Sequence, residues 1–276
     1  MLGLASTGVL WVLTALEFWR ENSVAADLAQ HGVTVRLRPV LSVTPLAQFS
    51  WVRKHGKSIA LPYSADFLYE ADVSTNAIAQ LRWLPCLQSV TFGKRWTGDP
   101  AASPPAGRFV SDDDLIQVGR LAQLRSLFFN YSNLSDDGLK HLTALRSLEE
   151  LELKRANVSD AGLVHIGRIR SLTYLSLQQT NVTGSGLIHL RGLQNLTQMS
   201  LQSTPLVDGS LGPLAELPNL QYLDLDLTLI TDASIEDLVR LKSLTALSVM
   251  GLSEGGMERL QQALPNCEVL RGPTSF

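Results

Sequence analysis

The residues whose types could support chemistry recur at a fixed interval of 24 positions. His141, His165 and His189 form the most suggestive set, because histidine is the commonest metal ligand in proteins. The surrounding pattern places each on a separate outer helix, with axes about 8–10 Å apart, whereas zinc holds its nitrogen ligands at about 2.0–2.1 Å. We therefore predict partly exposed helix residues and no metal site.

An acidic column has the same spacing and follows a column of hydroxyl residues. Calcium needs about 6–8 oxygen ligands, whereas the column supplies one carboxylate per unit and is interrupted at Gly184. The sequence instead predicts helix N-caps, each with an Asp beside the positive helix end. The predicted caps are Ser111, Ser135, Ser159, Thr183 and Thr231, and the Asp column is Asp112, Asp136, Asp160, Asp208 and Asp232.

Two short motifs resemble those of enzymes but lack the partners that catalysis requires. Ser253 lies in a G-x-S-x-G sequence at 251–255, yet the last histidine of the chain is His189, and a nucleophile elbow needs a histidine after the serine. Gly56-Lys57-Ser58 resembles the end of a phosphate loop, but Trp51 replaces its first glycine. We predict a protein without catalytic activity or cofactor.

The elements that position these residues form an internal repeat. Apolar residues recur in register at 24-residue intervals over most of the chain. One such column is Leu127, Leu151, Leu175, Met199, Leu223 and Leu247.

Each repeat divides into a strand and a short helix. Residues 148–153 alternate apolar and polar side chains, which predicts a strand, and residues 158–169 place apolar residues at helical spacing after Ser159. Strands are about 4.8 Å apart and helices about 8–10 Å apart, so the stack must curve. The predicted fold is an α/β solenoid with a parallel sheet on its concave side and short helices on its convex side.

The units resemble the leucine-rich repeat family, nearest to its cysteine-containing, F-box-type subclass with the consensus L-x-x-L-x-L-x-x-C-x-x-I-T-D-x-G-L. The cysteine column holds other residues here, which is similar to repeats of bacterial, Planctomycetes-like proteins. Residues 20–60 show no F-box pattern. The resemblance implies a right-handed horseshoe and a protein partner of unknown identity. The residues in the cysteine column are Ser132, Ala156, Thr180, Thr204, Thr228 and Leu252.

The strand residues between the core columns point to the concave face. Aromatic residues and arginine among polar neighbours are typical of protein interfaces, so we predict protein binding on this face. The candidate binding residues are Phe128, Asn130, Tyr131, Glu152, Lys154, Arg155, Tyr174, Gln178, Gln202, Tyr222, Asp224 and Asp226.

An insertion interrupts the second repeat. Between Phe92 and Val110 lie 17 residues (93–109), where 4 separate Phe129 from Leu134. Insertions in repeat proteins map to loops, often on a binding face, and Trp96 is the candidate binding residue. The alternative is a tolerated surface loop.

The regions outside the repeats are less regular. The apolar residues 1–19 suit a membrane anchor, a docking helix or a cleaved signal, and 20–62 suit an α/β cap with a helix to residue 30, a strand from Val33, a short helix at 45–55 and a strand at 58–61. Repeats are expected over 63–276, with a C-terminal cap from about 253. An anchored protein could be a structural or envelope component with the solenoid as spacer, and an unanchored one would be cytoplasmic.

Composition limits the partner classes. The chain has 276 residues, 45% hydrophobic and 18% charged, which is enough for a large core. Its net charge of −3 and the absence of Lys/Arg runs argue against nucleic acid. Cys86 and Cys267 are 181 positions apart and are predicted to be small packed residues rather than a disulfide or metal pair.

Overall fold

The computed structural model describes residues 23–24, 26–30, 33–39, 60–67, 75–84, 87–93 and 109–272. The apolar segment 1–19, the predicted helix at 45–55, Cys86 and Trp96 lie outside these ranges. Within them, no helix combines the length and apolar character needed to cross a membrane.

One sheet runs through all of the described repeats. Its ten strands are ordered as they occur in the chain; β1 and β2 are antiparallel, and every later neighbour pair is parallel. The strands are β1 Val33–Pro39, β2 Ala60–Phe67, β3 Ser89–Phe92, β4 Ser126–Asn130, β5 Glu150–Lys154, β6 Tyr174–Ser176, β7 Gln198–Ser200, β8 Tyr222–Asp224, β9 Ala246–Ser248 and β10 Glu268–Leu270.

Short helical segments return the chain from the end of one strand to the start of the next. Among the described residues, 23–24 and 26–30 are helical, where the sequence predicts a helix to residue 30. The further α-helices of the described ranges are α1 Thr75–Gln80, α2 Asp112–Val118, α3 Leu163–Ile166, α4 Ile235–Leu238 and α5 Glu254–Ala263. The 3₁₀ segments are Leu81–Trp83, Gly138–Ala144, Leu187–Gly192, Gly212–Glu216 and Asp232–Ser234.

The core is a stack of equivalent side chains between the sheet and the helices. Leu127, Leu151, Leu175, Met199 and Leu223 are paired across neighbouring strands and are fully buried. Phe92 and Phe129 stack with ring centroids 5.1 Å apart. The 24-residue register therefore translates directly into one continuous hydrophobic core.

One local prediction differs from the structure. The strand expected at 58–61 is instead β2, Ala60–Phe67, which pairs in parallel with β3 and so opens the stack of repeats. The sequence predicts short helices without specifying their type, and several of them are 3₁₀, a tighter helix that rises about 2.0 Å per residue. The architecture is a right-handed leucine-rich repeat solenoid with a concave parallel sheet.

Candidate functional site: the concave face and its polar edge

Three columns of strand residues make up the concave face. The first contains Tyr174 and Tyr222, the second contains Phe128 and Glu152, and all four side chains are half-buried. Cross-strand pairing places Phe128 beside Glu152, and Tyr174 beside Glu150. Aromatic and acidic side chains therefore lie side by side on β4, β5 and β6.

Tyr174 is held in its neutral form on this face. Burial raises the pKa of its phenol to about 12, and the nearby negative charges of Glu152 and Glu150 act in the same direction. A neutral phenol keeps its proton at physiological pH, so Tyr174 can donate a hydrogen bond to a partner while its ring supplies apolar contact.

The third column is deeper than the sequence suggests. Asn130 and Lys154 are paired across β4 and β5 and are only 2% and 4% exposed. Burial lowers the pKa of Lys154, and the neighbouring carboxylate of Glu152 partly opposes this shift. These two candidate residues are thus part of the sheet interior at the end of each strand rather than open side chains.

The same column contributes to a hydrogen-bonded network across β6 to β9. Gln178 Nε2 donates to Ser200 Oγ at 3.1 Å, and Ser200 Oγ donates to Asp224 Oδ2 at 3.1 Å. The backbone N–H of Asp226 donates to Asp224 Oδ1 at 3.0 Å, and Ser248 Oγ donates to Asp226 Oδ2 at 2.7 Å. The network connects four consecutive repeats through side chains that the concave face shares with its interior.

Both carboxylates of this network are buried. Asp224 is 3% exposed and Asp226 is fully buried. Burial raises the pKa of each, and for Asp224 the adjacent Asp226 charge adds to the shift. Asp224 and Asp226 are therefore poised to hold a proton more tightly than a surface aspartate does.

A second set of candidate residues follows the strands along one edge. Tyr131, Arg155, Gln179, Ser203 and Leu227 all have a positive φ between 56° and 63°. Left-handed conformations are uncommon for residues other than glycine, yet here they recur every 24 positions, because each turns the chain out of its strand at the same point. The N–H groups of Tyr131 and Arg155 then donate to Lys154 O and Gln178 O of the following repeat.

Side chains along this edge interact from repeat to repeat. The Arg155 guanidinium lies 4.3 Å from the ring centroid of Tyr131, a cation–π contact, and Arg155 Nε donates to Gln179 Oε1. Tyr131, Arg155 and Gln179 therefore form a continuous half-exposed strip next to Phe128 and Glu152.

The acidic column has a role in addition to the predicted one. Each Asp accepts hydrogen bonds from the N–H and hydroxyl of the Ser or Thr in the next repeat, as Asp136 does from Ser159 at 2.8 and 2.6 Å. Asp112 and Asp232 also lie in the first turn of their own helical segments, as predicted, whereas Asp136, Asp160 and Asp208 precede theirs. The pairs of this inter-repeat ladder are Asp112–Ser135, Asp136–Ser159, Asp160–Thr183, Asp208–Thr231 and Asp232–Ser253.

Only some of the predicted caps act on their own helix. Ser111 forms a capping box with Asp114, and Thr231 accepts from Ala233 N. The hydroxyl that replaces cysteine is hydrogen-bonded to the backbone in three repeats, since Thr180, Thr204 and Thr228 each donate to the carbonyl three residues earlier, at 2.6–2.7 Å.

The histidines lie apart from one another, and an open groove lies elsewhere, on the sheet. His141, His165 and His189 lie on successive outer helical segments, and the described ranges contain no group of three or more His, Cys, Asp or Glu that could hold a metal. A groove of about 570 Å³ lies at the start of the strands. Among its lining residues, Thr173 and Thr197 donate to the backbone of the preceding repeat, and Arg125 pairs with Glu149 at 2.6 Å.

Sequence reasoning missed Ser200 and Ser248 as members of the concave network. Both occupy the same column as Phe128, Glu152 and Asp224, so the 24-residue register already located them. The small hydroxyl side chains did not by themselves indicate a role in the network, because that role depends on the carboxylates of the neighbouring strands.

Comparison with known proteins shows similarity in architecture. An internalin from Listeria monocytogenes, inlF, is 16% identical over 82% of this chain and 73% of its own, with a TM-score of 0.48. A second internalin from this species, inlC2, is 19% identical over 79% and 99%, with a TM-score of 0.48. The ectodomain of a plant membrane receptor kinase from Arabidopsis thaliana is 20% identical over 63% of this chain, with a TM-score of 0.44, and the chain spans about a fifth (19%) of its length.

No protein-family profile matches the sequence, and no curated protein matches it. The assignment of a leucine-rich repeat solenoid therefore rests on the geometry of the repeats themselves. The class of this protein is defined by its fold alone.

Proposed function

We propose that this chain is a non-catalytic protein-binding module that takes its partner on the concave face. The supporting observation is the grouping of half-buried Phe128, Glu152 and Tyr174 on the consecutive strands β4, β5 and β6, with half-buried Tyr222 two strands further along on β8. Large rigid aromatic groups lose little entropy on binding and often dominate interface energetics. The sheet beneath them is held by cross-strand pairing, so they are presented in fixed positions.

The strip of Tyr131, Arg155 and Gln179 extends this surface to the strand ends. Arginine and tyrosine are both enriched at binding hot spots, and their mutual contact orders them before a partner arrives. Asn130, Lys154, Gln178, Gln202, Asp224 and Asp226 form the floor beneath the partner. Trp96 of the insertion stays a separate prediction.

Replacing Phe128, Tyr174 and Tyr222 together with alanine is expected to weaken partner binding at least about tenfold, because the aromatic contact area is lost. The partner is first captured with the full chain and identified by mass spectrometry, and its affinity is then measured by calorimetry. Circular dichroism is expected to show an intact fold.

A matched control removes three exposed hydrophobic side chains from the helical segments. Trp83, Ile116 and Ile188 are 37–38% exposed, and their triple alanine variant should bind the partner as the unmodified chain does. If the concave triple variant keeps full affinity, or if only the control loses it, the concave-face proposal is wrong. The single substitution Glu152→Lys provides a second test should the triple variant unfold.

A further inference from the structure

A second surface lies where the inter-repeat ladder is interrupted. The ladder pairs an Asp with a Ser or Thr in the next repeat, but at one step both members are replaced, by Gly184 and Val207. Gly184 has a φ of 110°, and a Cβ there would lie 2.4 Å from the Ser210 side chain. The carboxylate and the hydroxyl are thus missing together.

Exposed aliphatic side chains surround this interruption. Val207 and Met250 are 45% exposed, and Leu227 and Leu229 are 60% and 61% exposed. Val207 pairs with Leu229 in a short parallel bridge, and Leu227 and Met250 follow shortly after the paired ends of the neighbouring strands β8 and β9, at Asp224 and Ser248. These four residues, here called the aliphatic edge patch, are neighbours on one surface.

Most equivalent positions in earlier repeats are polar. The Leu229 column holds Asn133, Asn157 and Asn181, of which the last two are hydrogen-bonded to each other at 2.9 Å, and then Pro205. The Leu227 column holds Tyr131, Arg155, Gln179 and Ser203, all with the same left-handed backbone. A mostly polar edge therefore becomes apolar from Pro205 onward, although the backbone geometry tolerates polar residues there.

The charge of the residues around the aliphatic edge patch indicates which kind of partner binds it. Residues 205–272 contain ten acidic side chains, of which Asp224 and Asp226 are buried, and four basic ones, whereas 109–204 contain nine of each. Asp208 directly follows Val207, and Asp232 lies in the next repeat. A symmetric contact between two copies would bring these carboxylates against each other, which disfavours a homodimer.

We propose that the aliphatic edge patch binds an extended partner segment that combines aliphatic and basic side chains. The aliphatic groups would cover Val207, Leu227, Leu229 and Met250, and the basic groups would face the acidic flank. The patch has only four main side chains, so the expected affinity is modest, on the order of micromolar. This site is independent of the concave-face proposal.

The test uses the full chain and three fluorescein-labelled peptides of equal length. The first alternates leucine with lysine, the second alternates leucine with glutamate, and the third alternates serine with lysine. Fluorescence anisotropy is expected to show binding of the leucine–lysine peptide alone, weakened by added salt as screening increases. The variant Val207→Thr/Leu227→Gln/Leu229→Asn takes residues that the chain itself uses at equivalent positions, so it should fold. It is expected to weaken binding at least about tenfold.

The matched control Ile116→Thr/Ile188→Thr removes exposed aliphatic groups from the helical segments and should leave peptide binding unchanged. Equal binding of the leucine–glutamate or serine–lysine peptide would overturn the proposal, as would an unaffected triple variant. Sedimentation velocity adds one more outcome: self-association that the triple variant abolishes, without peptide binding, would assign the patch to a second copy and also overturn it. The concave variant at Phe128, Tyr174 and Tyr222 should bind the peptide normally, which separates this proposal from the previous one.

Discussion

Asp160→Ala is expected to lower the free energy of unfolding by about 3 kcal/mol, because one carboxylate serves four donors of the next repeat. Thr183 N and Gly184 N donate to it at 3.0 Å, Thr183 Oγ1 at 2.6 Å and Gly186 N at 2.8 Å. Alanine leaves these donors without their acceptor at a tight junction, where a Cβ on Gly186 would lie 2.4 Å from the Asp160 backbone. Urea unfolding followed by circular dichroism measures the loss.

Asp137→Ala is the control for this experiment. Asp137 is exposed and caps its helical segment without a side-chain hydrogen bond, so its removal should change stability by less than about 0.5 kcal/mol. The inter-repeat role is contradicted if Asp160→Ala and Asp137→Ala unfold at the same urea concentration.

The pH dependence of stability in acid should reveal the same hydrogen bonds to Asp160. Partial burial alone would raise the pKa of Asp160, but hydrogen bonds from Thr183, Gly186 and Gly184 outweigh it and lower the pKa. For Asp208 the bonds from Ser234 and Thr231 likewise outweigh burial, and for Asp232 the bonds from Ser253 lower the pKa directly. A depressed folded-state pKa stabilises the protein above the unfolded pKa of about 3.9. This contribution is lost as pH falls through the lower folded-state pKa. In Asp160→Ala, the free energy of unfolding should therefore depend less steeply on pH in the acid range.

The repeat register predicts the core well because it depends on spacing alone. Residues at the Leu127 and Leu151 positions must face inward in every unit if the units stack, and they are fully buried. The register does not predict where a polar side chain finds its partner. The Asp136 carboxylate could accept hydrogen bonds from its own helix or from the next repeat. The sequence does not distinguish the two, because the Ser or Thr that caps a helix and the Ser or Thr that donates to the preceding Asp occupy the same column.

The sequence does indicate the inter-repeat ladder at the one step where the ladder is interrupted. Gly184 and Val207 lose the acceptor and the donor at the same step, which a local capping role does not require. The depth of the third concave column has no such signal. Asn130, Lys154 and Asp226 look like solvent-facing strand residues, and only the packing of neighbouring strand ends shows that they are buried.

Asp226→Asn is expected to stabilise the protein by about 2 kcal/mol near pH 7.5, because it removes a buried charge with too few donors. Among the described residues, Asp226 Oδ1 has no hydrogen-bond partner, and Oδ2 has the Ser248 hydroxyl at 2.7 Å. Ser248 Oγ also lies 3.0 Å from Gly272 O, and its single proton cannot serve both acceptors. An asparagine amide can donate to Ser248 Oγ, which frees the hydroxyl to donate to Gly272 O.

The pH dependence distinguishes this explanation from a general packing effect. Burial raises the pKa of Asp226, so the folded state holds the proton more tightly, and stability falls as pH rises from the unfolded pKa through the folded one. The gain from Asp226→Asn should therefore shrink as pH falls towards the unfolded-state pKa of about 3.9, because the native carboxyl gains a proton and can itself donate. Asp137→Asn, on the surface, should show no comparable trend in thermal or urea unfolding.

A loss of stability in Asp226→Asn at pH 7.5 would mean that the carboxylate is paired with a positive charge, and the buried-charge interpretation would be wrong. A gain would mean that folding does not require this charge, because the neutral side chain fills the same place in the network. Asp226 would then be retained at a cost in stability on the face proposed to bind a partner. Measuring partner affinity of the stabilised variant would show whether the carboxylate serves binding.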